Sequence, residues 1–264
     1  HYGDEVVPDS GPLPVHMLGN MWGQSWSNIY DLVYTEESNS NSINVTKIIE
    51  DKEIDEIEMV RYAEDFFISI GFDSLPDTFW ERSLFVKPRD RSVVCHASAW
   101  NLDPANNDLR IKMCIQKNEE DFITIHHELG HIFYYQAYNH LPTLFQGGAN
   151  DGFHEAFGDL LTLSITPDYL QKIDFVSEEE ANLAKQDPIG LLMKQALEGV
   201  VVVPWALMLD KWRTGVFNGD IKEDELNSSW WELRKEYQGI TTSEERSEEY
   251  FDPGAKYHIP GNTP

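Results

Sequence analysis

A mainly α fold with one small antiparallel β element is what this sequence of 264 residues predicts. Three observations carry the prediction. Apolar residues recur at helical spacing between Ile54 and Ile70, helix-start signals stand at Asn118 and at Asp187-Pro188, and strand-like runs occur only at 93–100 and 109–115.

The opening at 8–14 is rich in proline and turn formers and leads into the aromatic stretch 21–26, so an irregular start is expected. After a polar stretch at 35–44, Ile54, Ile57, Arg61, Phe66, Phe67 and Ile70 recur at three- and four-residue steps and predict one long helix ending at Gly71. Pro76-Asp77 opens a short helix running towards Phe85. The two strand-like runs, separated by turn formers at 103–108, predict a hairpin. A bridge between Cys95 and Cys114 would staple it near its open end; two buried free thiols are the alternative. Helices should dominate afterwards. Asn118 can cap one, with Asp121 at its third position, and Asp187-Pro188 starts a run to Phe217 that Pro204 should kink. Gly147-Gly148 and Pro253-Gly254 read as loops within one domain, and no internal repeat is visible.

Acidic residues outnumber basic ones by 46 to 20, a formal charge of −26. Such a chain repels phosphate backbones and anionic lipid, so no nucleic-acid partner and no membrane contact within this segment are expected. The most apolar run, 200–209, falls short of the ~18–20 residues of a membrane span and contains Pro204, which predicts no transmembrane helix. The start His1-Tyr2-Gly3-Asp4 lacks the build of a signal peptide, so any such segment lies outside this sequence. The sequons at Asn44 and Asn227 are candidate glycan acceptors and, with the cysteines, lean towards an oxidising compartment.

The chemistry concentrates at His126-His127-Glu128-Leu129-Gly130-His131, which contains H-E-x-x-H. Residues four apart on a helix lie about 40° apart around its axis, so His127 and His131 can share one metal. Glu128, about 100° round from His127, can reach water on that metal without being a ligand. Hydrolytic zinc needs three protein ligands and an open position. The H-x-x-G-x-x-H continuation is absent, so a second helix must supply the third ligand. The segment 152–159 puts Glu155 and Asp159 four apart on one face. Glu155 would complete the site, and Asp159 could accept a hydrogen bond from the outer nitrogen of a ligand histidine. His126 and His154 read as structural.

The chain resembles the peptidyl-dipeptidase family of angiotensin-converting enzyme. The resemblance spans essentially the whole sequence: Leu18-Gly19-Asn20-Met21-Trp22 with Gln24, Cys95-His96-Ala97-Ser98-Ala99-Trp100, HHELGH, Gly148-Ala149-Asn150 with Gly152-Phe153-His154-Glu155-Ala156, the segment from Trp230-Trp231 to Gln238-Gly239, and Gly254-Ala255-Lys256 with His258. It implies a helical zinc metallopeptidase fold, with the β element beside an enclosed active-site channel. It also implies extracellular release of C-terminal dipeptides from short peptides. By similarity His127, His131 and Glu155 are the zinc ligands, Glu128 the general base and acid, and Asp159 the carboxylate behind a ligand histidine. Gln24 and Lys256 match residues that hold the substrate's terminal carboxylate. His96 and His258 match histidines near the scissile bond, with His258 placed to stabilise the oxyanion. Ala97 and Ala99 lie on the strand that pairs with substrate. Cys95 and Cys114 match a family disulfide, and Trp230 and Arg234 match part of a chloride site.

The family domain is longer, so residues 1–264 are expected to form a single partial peptidase domain, without the N-terminal lid helices or the C-terminal segment. A tyrosine of the oxyanion site, a tyrosine of the carboxylate site and another arginine of the chloride site fall in those regions. The rival readings are the family's single-residue carboxypeptidase branch, which has arginine where Gln24 stands, a catalytically silent binding relative, and zinc used only for structure.

Overall fold

The computed structural model describes residues 11–34, 43–256 and 258–259; positions 8–10 of the turn-rich opening and 35–42 of the polar stretch lie outside them. The chain divides into two compact units, one formed by His1–Ser42 with Gln186–Pro264 and the other by Ile43–Lys185. Along the chain, β1 (Leu13–Pro14) and α1 (Tyr30–Val33) belong to the first. The second holds α2 (Val45–Asp51), α3 (Glu56–Ser69), α4 (Asp77–Arg82), β2 (Ser98–Asp103), β3 (Asp108–Lys112), α5 (Glu119–Asn139), α6 (Asp151–Thr162), α7 (Pro167–Lys172) and α8 (Glu178–Ala184). The first unit resumes with α9 (Pro188–Asn218), α10 (Leu226–Gln238) and β4 (Ile240–Thr241). The fold is mainly helical, as expected.

In the Ile43–Lys185 unit, side-chain caps set most helix starts. Asn44 accepts from the Lys47 amide at the head of α2, and Asp55 and Glu58 exchange side-chain and backbone hydrogen bonds at the head of α3. The helix expected over 54–70 is therefore Glu56–Ser69, with Ile54 buried ahead of its cap. Its period was readable but its phase was not. Met59, Val60, Ala63, Phe66 and Phe67 face the core, whereas Ile57 and Ile70 are exposed. Phe67 stacks on Phe133 of α5 with ring centroids 4.3 Å apart, a contact of the kind that adds about 0.5–1.5 kcal/mol beyond area burial.

The hairpin forms, but its first strand starts at Ser98 rather than 93. Ser98 pairs with Lys112 and Ala99 with Ile111, and the register shifts between Asn101 and Asp103. Leu84 and Phe85 cover the far edge of β3 and the residues after it, through Leu84 N to Ile111 O, Met113 N to Leu84 O and Ile115 N to Phe85 O. Cys95 and Cys114 are disulfide-bonded just beyond the Ser98–Lys112 pair, at the open end.

In the other unit, α9 continues through Pro204 without interruption. By length and composition alone it is also long and apolar enough to cross a membrane, with an 18-residue window of mean hydropathy 1.4 that is 17% buried. The apolar run 200–209 is thus part of a longer helix with few charges, a feature that a core helix shares with a membrane span. Trp205, Met208 and Trp212 of α9 cluster with Trp230 of α10.

The far end of α10 fastens the loop that carries Gln24. Gln238 Nε2 donates to the carbonyls of Trp22 and Gly23, and Gly23 adopts φ +60°, a left-handed turn that favours glycine. At its start, Glu248 accepts from the Asn227 and Ser228 amides, while Asp252 accepts from Trp231 Nε1. Asn227 itself is fully buried, its Nδ2 donating to Ser247 O at 3.1 Å and its Oδ1 accepting from Asp252 N at 2.9 Å. The sequon at Asn227 is thus corrected: the folded amide has no face open to a glycan. Asn44 is exposed. Pro253-Gly254, read as a loop, lies in a 3₁₀ turn over Asp252–Ala255 that leads into Lys256.

Candidate metal centre

Helix α5 begins under an Asn118 cap that accepts from Asp121 N, with Glu119, Glu120 and Asp121 in its first turn, where acidic side chains favour the helix dipole. Phe122, Ile125, Leu129, Ile132 and Phe133 bury one face, together with His126, which bonds Phe122 O and Tyr169 Oη and is structural. A neighbouring stripe carries His127, Glu128 and His131. Helix α6 starts at Asn150, whose side chain accepts from Phe153 N, and crosses α5 where two glycines meet. A Cβ on Gly130 would stand 2.9 Å from Gly158 Cα, and one on Gly158 would stand 2.9 Å from His127 Nδ1. The helices therefore approach closely enough for α6 to place Glu155 and Asp159 against His127.

His127, His131 and Glu155 each present one ligand atom, all within 4.8 Å of one another. The two Nε2 atoms are 3.1 Å apart, and Glu155 Oε2 lies 3.3 Å from that of His127 and 3.6 Å from that of His131. Ligands bound at ~2.0–2.1 Å to one tetrahedral zinc would be separated by about 3.3 Å, so the donor set fits that ion in both chemistry and spacing. Asp159 Oδ1 accepts from His127 Nδ1 at 2.8 Å, leaving Nε2 for a metal. Glu128, 6% exposed, is adjacent to the cluster without belonging to it.

The electrostatics favour a cation. Burial lowers the proton affinity of His127, but its hydrogen bonds to Asp159 and Glu155 outweigh that and lift its pKa to about 10. Hydrogen bonds from His127 and His131 hold the Glu155 carboxyl well below the ordinary carboxylate range, and burial pushes Glu128 up. A field that draws a proton this strongly also draws a metal ion.

The other predicted site residues fall in two places. His96, Ala97 and Ala99 lie on the segment leading into and along β2; His96 is exposed, its Nδ1 bonded to Ala97 O at 2.7 Å. Strand β2 pairs only with β3 among the described residues, so its other edge is open. Gln24, Lys256 and His258 belong to the first unit. Lys256 Nζ donates to Gln24 Oε1 at 3.1 Å and lies 5.5 and 5.7 Å from the ring centroids of Trp205 and Trp22. Burial lowers its pKa, and no carboxylate pairs with it among the described residues. Arg234 and Trp230 are also buried. Arg234 bonds Gln238 Oε1 and Met21 O and sits 4.5 Å over Trp231, while Trp230 Nε1 has no hydrogen-bond partner among the described residues.

Two contributors were missed in the sequence. The Gly130–Gly158 crossing left as its signal only a mid-helix glycine on each side, which is costly unless close packing requires it. His154, read as merely structural, bonds His131 directly.

Two crossing helices thus bring two histidines of an H-E-x-x-H and a downstream glutamate together as a cluster that could hold a metal ion, a donor set of the kind that binds zinc in metallopeptidases. The family model described as angiotensin-converting enzyme matches residues 1–264, and the chain belongs to that family. It is 45% identical over 266 residues to angiotensin-converting enzyme of Bos taurus, a match covering 100% of this chain and 20% of that protein. To the enzymes of Haematobia irritans exigua and Theromyzon tessulatum it is 42% and 40% identical, over 98% and 100% of this chain and 42% of each relative. The chain thus spans a fifth to two fifths of the length of these relatives.

Proposed function

We propose that this chain carries the zinc centre and part of the substrate site of an extracellular peptidyl-dipeptidase, which releases C-terminal dipeptides from short peptides. The observation that carries the reading is the convergence of His127, His131 and Glu155, with Glu128 beside them. When bound, zinc supplies Lewis acidity that polarises a carbonyl and acidifies water. Asp159 holds His127 in the tautomer that presents Nε2. Glu128, whose carboxyl burial makes more basic, takes a proton from the attacking water and returns it to the leaving amine.

The remaining roles follow from the groups on hand. Lys256 is a buried ammonium that meets the Gln24 amide oxygen and two tryptophan rings but no carboxylate among the described residues, and with Gln24 it suits the terminal carboxylate of a peptide. The open edge of β2, including Ala99 and preceded by His96 and Ala97, offers backbone groups to an extended peptide. His258 is assigned to the oxyanion by family similarity. Arg234, a buried guanidinium with no carboxylate paired to it among the described residues, and the unpartnered Trp230 N–H suit a small anion such as chloride. The disulfide supports the extracellular setting, in which the exposed Asn44 would be a glycan acceptor.

The test is product analysis. Full-length protein incubated with an N-blocked tripeptide should release the C-terminal dipeptide, and a chelator should abolish that release. Release of a single residue would move the reading to the carboxypeptidase branch, and no product at all would favour a binding relative.

A further inference from the structure

His131 and His127 each need a partner for the ring nitrogen turned away from the metal, and the two partners differ in kind. His127 Nδ1 faces a carboxylate, Asp159, at 2.8 Å. His131 Nδ1 faces another imidazole, His154 Nδ1, at 2.7 Å. An imidazole that ligates through Nε2 carries its proton on Nδ1, so His131 must be the donor and His154 Nδ1 the acceptor. His154 then bears its own proton on Nε2, which lies 3.4 Å from Tyr138 Oη. The direction of every bond in this chain follows from the first.

The ring of His154 is fixed from several sides. Its centroid is 4.7 Å from that of Tyr134 and 4.8 Å from that of Tyr135. A Cβ on Gly148 would stand 3.0 Å from its Cδ2, so the loop before α6 closes over it, and Tyr134 Oη pins that loop by accepting from Ala149 N. His154 immediately precedes Glu155, so one turn of α6 delivers both a metal ligand and the partner of another.

We infer that His154 is a positioning residue of the metal centre: its Nδ1 accepts the His131 Nδ1 proton, fixing that ligand's tautomer and ring orientation, while Tyr138 Oη accepts from its Nε2. The inference rests on the zinc reading above. The consequence is an asymmetric pair of ligands, one histidine backed by a carboxylate and one by a neutral ring. A backing carboxylate strengthens a ligand's donation more than a neutral acceptor does, so His154 leaves more positive charge on the metal than a second aspartate would.

The experiment uses the full-length protein with four variants: His154→Leu, His154→Asn, His154→Gln and Tyr138→Phe. Asn Oδ1 branches from Cγ, as His Nδ1 does, whereas Gln Oε1 reaches nearer the Nε2 position. Zinc affinity by chelator competition should fall roughly 10–100-fold in His154→Leu, recover largely in His154→Asn, recover little in His154→Gln, and change only a few-fold in Tyr138→Phe. At equal cobalt occupancy, the cobalt absorption bands should shift in His154→Leu and return in His154→Asn. Wild-type affinity in His154→Leu would overturn the inference. Equal losses in the Leu and Asn variants, with matching losses of thermal stability in their metal-free forms, would reduce His154 to packing and overturn it too. A wild-type protein that binds no zinc at this segment would instead remove the reading on which it rests.

Discussion

In the proposed mechanism two demands meet at Glu128: the carboxylate has to be basic enough to take a proton from water, yet it would stand beside a bound cation that lowers its basicity. Burial answers the first by pushing its pKa up, while His127 and His131 pull in the other direction. The same carboxylate is not a ligand, so its substitution separates chemistry from metal binding. Glu128→Gln should keep full zinc content and lower kcat roughly 10²–10⁴-fold, measured by peptide turnover alongside metal analysis. Retained turnover with native zinc would remove Glu128 from its role. The residues of this site differ in how plainly the sequence announces them. His127, Glu128 and His131 are fixed by helical geometry, because spacing of one and four residues leaves little freedom. Glu155 and Asp159 required a second helix to be guessed, and their own four-residue spacing made that guess productive. His154 could not be read this way, since its partner His131 lies on another helix and nothing local marks which ring nitrogen faces it.

Among the elements, the crossing of α5 and α6 determines whether those side chains meet. Gly158 sits where any side chain would press on His127 Nδ1 and its carbonyl, at 2.9 and 3.0 Å from an added Cβ. Gly158→Ala should push α6 outwards, weaken zinc binding by about 10-fold or more in a chelator competition, and cost about 1–3 kcal/mol of stability in denaturant unfolding. Unchanged affinity would show that the crossing tolerates more room than the geometry allows. Caps made the helix starts at Asp187 and Asn118 legible, because Asn and Asp side chains satisfy backbone amides that a helix leaves open. The hairpin was legible only in outline. Its first run, 93–100, is apolar enough to read as strand, yet pairing begins at Ser98, since the disulfide and not a ladder holds the residues around Cys95. The phase of α3 was lost for a related reason. Ile57 and Ile70 have the composition of core residues, but their exposure depends on what packs nearby.

For the molecule as a whole, the two units carry different parts of the proposed chemistry: metal and base in Ile43–Lys185, carboxylate-reading and anion-holding groups in the other. The family was legible because its motifs are spread over both units, whereas α9's membrane-like composition was hidden by counting only its longest apolar run. Every role proposed for this site requires that His127, His131 and Glu155 hold one zinc ion between them. Metal analysis of the full-length protein, wild type beside His127→Ala, His131→Ala and Glu155→Ala, tests that directly. Each of these variants should lose one equivalent of zinc relative to wild type while Glu128→Gln loses none. Undiminished zinc in all three alanine variants would contradict it.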